Sequence, residues 1–300
     1  MKRVVSVSLG SSKRDHRVQV EFLGEQVTIE RIGTDGDLEK AIEMIEELDG
    51  KVDAFGMGGI DLYLIAGGKR FVVRDAARMA KAAKFSPMVD GSGLKNTLER
   101  QVVDYLQNHL KLQLQGKRVL MVSGVDRFGM AEAFTKAGCR MVFGDLIFAL
   151  GLPIPLTSLR SLQWLANMLL PIITKLPFAF LYPTGSKQEQ TTPKYVKYYQ
   201  DADIIAGDFL FIKKYMPDGL KDKIVVTNTV TAADIEELKA KGISLLVTST
   251  PEFSGRSFGT NVMEALLVAF ANRNPGELGE QDYLKLLRDL HFEPRVVKLA

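Results

Sequence analysis

The chain has 300 residues, of which 39 are Lys or Arg and 36 are Asp or Glu, so its formal net charge is +3. Apolar residues make up 46% and charged residues 25%, which is typical of globular proteins and excludes a disordered or fibrous class. The longest basic cluster is Lys13-Arg14, with Arg17 nearby, which is too short for a nucleic-acid-binding arm, and we predict no nucleic-acid partner.

The single cysteine and the sequence of the first residues predict a cytoplasmic location. Cys139 is the only cysteine in the sequence, so no intramolecular disulfide can form, and residues 1–12 lack the apolar core of a signal peptide. Residues 146–182 are rich in apolar residues but are interrupted by Arg160, Lys175 and prolines. A membrane-spanning helix needs about 20 uninterrupted apolar residues, so we predict a buried helix or a homo-oligomer interface there and no membrane contact.

The first part of the chain has a β-rich pattern. Residues 3–9, 17–22 and 26–32 are rich in β-branched and aromatic residues, and Gly24-Glu25 suits a two-residue loop between the last two runs. We therefore predict an antiparallel N-terminal hairpin. The apolar spacing of residues 38–48 then predicts a helix that ends before Gly50.

Short strands and helices alternate through the rest of the chain. Repeated β–α–β units predict parallel sheets with ligands at the carboxyl ends of the strands. The predicted fold is therefore α/β, with two Rossmann-like parallel-sheet domains: a substrate-type domain over residues 1–112 and a nucleotide-binding domain over residues 113–300. Further strands are predicted at residues 52–55, 71–73, 87–89, 118–123, 139–143, 179–182, 204–206, 224–226 and 245–248, and helices at 75–84, 96–109, 130–137, 193–200, 231–241 and 259–272.

The segment 116–145 has the order strand, glycine turn, helix, strand and acid that builds a nucleotide-binding crevice. Gly124 and Gly129 delimit the turn, and Asp145 follows about twenty residues later, where a carboxylate can bind a ribose hydroxyl. These residues predict a site for a nucleotide cofactor. An ordinary turn between a strand and a helix is the alternative interpretation.

One position in this turn departs from the dinucleotide pattern. The middle glycine, which lets backbone amides approach a pyrophosphate, is replaced by Asp126. Arg127 could offset part of that negative charge, and we assign it to contact with the cofactor phosphates.

Glycine clusters follow several other predicted strands, at residues 56–59, 90–93, 185–187 and 254–259. A helix N-terminus beside such a turn can bind anions, although a tight turn alone explains each cluster. We assign Gly58, Gly59 and Asn96 to binding of a small anionic substrate. Asp90 and Lys95 are assigned as a proton-transferring couple, the alternative being that Asp90 caps a helix and Lys95 is solvated. No metal site is predicted, because His16, His109 and His291 have no partner at ligand spacing.

The order Asp90-Gly-x-Gly93-Leu94, helix, Gly116-Lys-x-Val-Leu and glycine turn resembles the shikimate and quinate 5-dehydrogenase family over about residues 90–145. The resemblance implies an NAD-dependent oxidoreductase that acts on a hydroxyl of a small polyhydroxy carboxylate. The family's Asn-x-Thr-x-Pro-x-x-Lys loop is absent, so Lys95 is a substitute for its catalytic lysine. Asp145 would repel a 2′-phosphate, which favours NAD over NADP.

Two alternatives remain open. Arg256-Ser-Phe-Gly259 followed by Glu264-Ala265-Leu266 is similar to a segment of retaining glycosyltransferases with two Rossmann-like domains, in which the second Glu of the segment holds the ribose of a sugar nucleotide. The other alternative is a non-catalytic metabolite-binding protein, in which the glycine turns hold an anion and no proton is transferred.

Overall fold

The computed structural model describes residues 1–22, 24–66, 68–177, 192–253, 256–271, 273–289 and 292–299. In this part of the chain the protein is α/β and contains two mixed sheets that consist mainly of parallel strands, which confirms the predicted fold class at this level. The predicted strand at 179–182 and the glycine cluster at 185–187 lie outside the described residues.

The first sheet has five strands in the order β2-β3-β1-β4-β7. β2 pairs antiparallel with β3, whereas β1 is parallel to both β3 and β4, and β4 is parallel to β7. The expectation of an antiparallel opening therefore fails for β1, because this strand lies in the middle of the sheet between two parallel neighbours. The strands are β1 (Lys2–Ser8), β2 (His16–Phe22), β3 (Glu25–Gly33), β4 (Ala54–Gly58) and β7 (Met88–Val89).

Three helices and a small ribbon accompany this sheet. The Asp37 side chain accepts a hydrogen bond from the Lys40 amide and so caps the first helix, which buries Ala41 and Ile45. The ribbon's two strands pair antiparallel. These elements are α1 (Leu38–Leu48), β5 (Tyr63–Ala66), β6 (Lys69–Val72), α2 (Arg74–Ala82) and α3 (Ser92–Asn108).

The second sheet has six strands in the order β15-β12-β11-β10-β8-β9. All neighbours are parallel except β15, which runs antiparallel to β12 at one edge. Its strands are β8 (Arg118–Met121), β9 (Arg140–Phe143), β10 (Ile204–Ala206), β11 (Ile224–Thr227), β12 (Leu245–Thr248) and β15 (Arg295–Lys298). The helices that connect them are α4 (Phe128–Lys136), α5 (Leu159–Ile173), α6 (Val196–Asp201), α7 (Phe209–Tyr215) and α8 (Ala232–Ala240), and a ribbon of β13 (Glu252–Phe253) and β14 (Arg256–Ser257) follows β12.

Helix α9 (Thr260–Ala271) lies in sequence between β12 and β15 of the second sheet but packs against the first sheet. Residues 262–269 are all buried, and they share one hydrophobic core with Val4, Val27 and Ala54. Helix α10 (Glu280–Asp289) joins this core through Tyr283 and Leu287. A helix that is apolar on all sides must be enclosed on all sides, and α9 meets this requirement between the sheet and helix α3. The division at residue 112 stays a prediction.

None of the helices in the described residues is both long and apolar enough to cross a membrane.

Candidate functional site

A cavity of about 180 Å³ lies where the carboxyl ends of strands from both sheets meet. Ligands of open α/β sheets bind at this end of the strands. The first sheet contributes residues from β1 and from the loop after β4, and the second sheet contributes the residues that follow β8, β10 and β11. The polar side chains that line the cavity include Ser6, Ser8, Asp61, Lys95, Asp126, Arg127, Asp208, Asn228 and Asn261.

Close backbone packing brings the loops of the first sheet to the cavity. A Cβ atom at Gly59 would lie 2.6 Å from the Gly10 amide nitrogen, and Gly59 has a φ of +74°. A Cβ at Gly91 would lie 2.7 Å from the Asn261 amide nitrogen, and its φ is +93°. A larger residue fits neither position, because both the backbone conformation and the spacing require glycine. Gly58 and Gly59 line the cavity, and their assignment to substrate binding stays a prediction.

Lys95 lies between two carboxyl groups at the base of the cavity. Its Nζ is 2.6 Å from Asp126 Oδ1 and 3.6 Å from Asp61 Oδ2. The Asp61 and Asp126 side chains also share a hydrogen bond. Burial and the neighbouring carboxylates raise the pKa of Asp61 to about 7, although Lys95 opposes this shift. Burial would raise the pKa of Asp126 as well, but Lys95 and Arg127 hold it well below its usual range.

Arg127 is buried and contacts three carboxylates. It donates hydrogen bonds to Glu99 Oε1 at 2.8 Å and to Asp208 Oδ2 at 2.9 Å, and its Nε is 3.1 Å from Asp126 Oδ2. Burial would lower the pKa of Arg127, but the three carboxylates raise it, so the guanidinium stays charged. Asn228 donates to Asp208 at 2.8 Å and extends the network to the end of β11. The network therefore ties α3 to three loops of the second sheet.

The predicted Asp90–Lys95 couple does not form. Asp90 accepts hydrogen bonds from the backbone amides of Leu62, Tyr63 and Ser92, at 2.7, 2.9 and 3.0 Å. These bonds hold the loop before β5 against the start of α3, while the ion pairs of Lys95 go to Asp126 and Asp61. These contacts do not support the assignment of Asp90 as a proton-transfer residue, which stays a prediction.

The predicted cofactor residues lie together, but they bond to each other. Asp145 accepts hydrogen bonds from the amides of Gly124 and Val125, at 3.1 and 2.8 Å, and burial raises its pKa to about 6. Its carboxylate therefore occupies amides that a pyrophosphate would need at this turn. Gly129 is buried inside α4, and Arg127 is engaged with carboxylates as described. The assignment of Gly124, Arg127, Gly129 and Asp145 to a cofactor stays a prediction, and in this structure Gly124, Arg127 and Asp145 bond to other groups of the protein.

Sequence reasoning missed Asp208, Asn228 and the serines of β1. The signal was present, because Asp208 and Asn228 directly follow predicted strands of the second sheet, at the edge where ligands bind. The Asn96 side chain lies outside what the structure describes. In the described residues, no group of three or more His, Cys, Asp or Glu side chains is arranged to hold a metal ion.

Comparison with solved structures finds distant similarities. A galactofuranose binding protein has 13% identity, covering 97% of this chain and 99% of that one, with a TM-score of 0.37. An arabinose binding protein from Geobacillus stearothermophilus has 11% identity, with 99% and 97% covered and a TM-score of 0.42. A glutamate dehydrogenase from Thermus thermophilus has 13% identity, with 97% and 74% covered and a TM-score of 0.43.

The prediction of an NAD-dependent oxidoreductase, with its quinate and shikimate dehydrogenase activity, is wrong. In the chain itself the presumed acid–base couple is not formed, and Asp145 is bonded to the turn. The resemblance to the dehydrogenase family and the binding of NAD stay predictions.

No curated protein matches the chain. Two family models do, and they divide it near the start of α3. Residues 3–90 match a model described as Domain of unknown function (DUF8753). Residues 93–299, more than half of the chain, match a model described as Domain of unknown function (DUF8754). The chain therefore belongs to the DUF8754 family and carries a DUF8753 segment before it.

Proposed function

We propose that the protein is a non-catalytic binding protein for a small polyhydroxylated monocarboxylate, held in the cavity between the carboxyl ends of the two sheets. The observation that carries this proposal is the lining of the cavity, in which paired charges of both signs alternate with hydroxyl and amide groups. A polyhydroxylated ligand needs such a mixture, because each of its hydroxyl groups both donates and accepts hydrogen bonds.

The uncharged polar groups of the cavity come from both sheets and from α9. Ser6 and Ser8 belong to β1, and the Asn261 amide donates to the Ser6 hydroxyl at 2.8 Å. Asn228 donates to Asp208 on the opposite side. These bonds fix the orientation of the side chains before a ligand arrives, which reduces the entropic cost of binding.

The charges of the cavity favour one negative charge on the ligand. Four cationic side chains (Arg14, Arg31, Lys95, Arg127) and four acidic ones (Asp61, Asp90, Asp126, Asp208) line it. Because the pKa of Asp61 is about 7, this carboxyl is protonated below neutral pH, and the lining side chains then carry one positive charge in excess. Behind the lining, Glu99 and Asp15 pair with Arg127 and Arg31. A single carboxylate on the ligand would balance that charge.

The arrangement supports binding more than catalysis, because the strongest acids and bases are committed to one another. Asp126 pairs with Lys95 and Arg127, and Asp90 accepts hydrogen bonds from backbone amides.

The proposal also covers the fold: both sheets are Rossmann-like, and β2 and β3 form the predicted N-terminal hairpin. The strand order of the second sheet and the antiparallel register of β2 with β3 support these finer assignments.

Lys95→Met is expected to weaken ligand binding by roughly ten- to a hundredfold. The Lys95 ammonium has three N–H donors, so beside Asp126 and Asp61 one is left for the ligand's carboxylate, and a charge-assisted hydrogen bond is worth about 1.5–3 kcal/mol. Binding is measured by thermal shift and calorimetry with quinate and gluconate, with glucitol as the uncharged counterpart and NAD as the competing ligand. Lys81→Met, at an exposed position of α2, is the matched control and should bind normally. The proposal is wrong if no polyhydroxylated compound binds or if NAD alone does.

Affinity for a monocarboxylate is expected to fall about tenfold between pH 6 and pH 8. As the pH rises through the Asp61 pKa of about 7, the cavity gains a negative charge that repels the ligand's carboxylate. Asp61→Asn should bind with an affinity that no longer depends on pH in this range. Calorimetry with gluconate at three pH values checks both. An unchanged pH profile in Asp61→Asn would show that another group titrates.

A further inference from the structure

A second cavity, of about 150 Å³, adjoins the polar one and differs from it in character. Eleven of its fourteen described lining residues are apolar. Its polar lining residues are Ser123, Asp126 and Asp145. The Asp145 carboxylate is already bonded to the amides of Gly124 and Val125. This cavity thus offers a surface for hydrocarbon and few free polar groups.

One face of helix α5 forms much of the apolar wall. Leu165, Leu169 and Ile173 lie four residues apart and therefore share one face of the helix. Leu64 from the ribbon β5–β6 and Val125 from the turn after β8 line the cavity too. The wall is thus assembled from the β5–β6 ribbon, helix α5 and the loops of the second sheet.

The two cavities are neighbours because Asp126 and Phe211 line both of them. Asp126 is the residue that pairs with Lys95 in the polar cavity. A ligand held there has the apolar cavity on the other side of these two side chains. Binding pockets for small molecules commonly combine an apolar wall with a few placed polar groups, and together the two cavities have this composition.

The size of the apolar cavity sets the size of its occupant. This cavity is partly open to solvent, and its volume of about 150 Å³ leaves room for a benzene-sized group. We propose that this cavity is a binding site for one aromatic ring or a short aliphatic chain, carried as a substituent by the ligand whose polar part occupies the first cavity. The link between the two cavities rests on the proposed function, whereas the hydrocarbon site itself does not.

The hydrocarbon site is tested with benzene as the probe. The full chain is labelled with ¹³C at the methyl groups of Leu, Ile and Val, and methyl spectra are recorded during a benzene titration. We expect saturable shifts at Leu165, Leu169 and Ile173. Leu169→Gln, which places an amide in the wall, should weaken benzene binding at least tenfold. Ile172 belongs to the same helix, and its side chain is 63% exposed. Ile172→Gln is therefore the matched control and should bind benzene as the wild type does.

Spectra of the wild type decide the result even where Leu169→Gln fails to fold. Absence of saturable shifts overturns the proposal, as do shifts that centre on Ile172, since these would show adsorption to the exposed face. Sedimentation equilibrium is run in parallel. A wild-type dimer that Leu169→Gln dissociates would show that a second copy occupies the cavity, and it would also overturn the proposal.

The link between the cavities is tested with the compound that binds best in the polar cavity and with its benzyl derivative. The benzyl derivative should bind at least tenfold more tightly than its parent, and Leu169→Gln should remove this advantage. Equal affinities would overturn the link. If benzene binds and no polar compound does, the proposed function fails while the hydrocarbon site stands.

Discussion

Substituting methionine for Arg127 is expected to lower the free energy of unfolding by about 3–5 kcal/mol, the usual cost of removing one partner from a buried ion pair. Arg127 is 6% exposed and Glu99 is 1% exposed, and their charged groups are 2.8 Å apart. Without the guanidinium, Glu99 stays buried with no cation at that distance, and Asp208 also loses its bond to Arg127. Urea denaturation at pH 7 measures the loss.

Arg100 provides the matched control at a more exposed position of α3. Arg100 pairs with Glu132, and the two side chains are 41% and 40% exposed. Arg100→Met should cost less than about 1 kcal/mol, because solvent screens exposed pairs. The double variant Arg127→Met with Glu99→Met should recover part of the loss, since it removes the unpaired buried carboxylate. Equal effects of Arg127→Met and Arg100→Met would contradict a structural role for the buried network.

Stability is expected to decrease as the pH rises from 5 to 8, with Glu264 as a major cause. Burial and the charge of Asp90 raise the pKa of Glu264 to about 8, and the Tyr283 hydroxyl donates to its Oε1 at 2.7 Å. Because the folded-state pKa lies above the unfolded value of about 4.3, the folded state binds more protons in this window. The contribution of Glu264 is complete below the unfolded pKa and is lost by up to about 1.4 kcal/mol per pH unit until the folded pKa is reached.

Glu264→Gln keeps the shape of the side chain and removes its titration. The variant should therefore gain stability relative to the wild type as the pH rises from 5 to 8, by roughly 3.5 kcal/mol, because the slope of about 1.4 kcal/mol per unit levels off near the folded pKa of about 8. Urea denaturation at pH 5, 6, 7 and 8 measures the difference. Glu280→Gln, at an exposed position of α10, is the control and should follow the wild-type curve. Parallel curves for wild type and Glu264→Gln would contradict the assignment.

Local features of the fold were predictable from the sequence, and long-range ones were not. Helix α1 has the predicted bounds of 38–48, because its apolar spacing and its Asp37 cap are both local signals. The place of β1 between β3 and β4 was not predicted, because apolar alternation does not determine which strands become neighbours. The packing of α9 on the first sheet joins residues more than 200 positions apart, a distance that no spacing pattern reports.

The site shows the same division between local and distant signals. Gly58, Gly59, Lys95 and Arg127 were identified because each follows a predicted strand or glycine turn, and all four line the cavity. Their partners were not identified. Lys95 pairs with Asp126, which is 31 residues away, and Asp126 appeared in the sequence only as an obstacle to nucleotide binding. In the structure the Asp126 charge is the counterion of both cations beside it.

The return of α9 to the first sheet makes the two halves of the chain structurally interdependent. The segments that match the two family models meet near residue 92, yet the apolar face of the earlier segment is covered by a helix of the later one. A fragment that ended at residue 90 would expose Val4, Val27 and Ala54 to water. A gene that encoded either segment alone would thus produce an incomplete core.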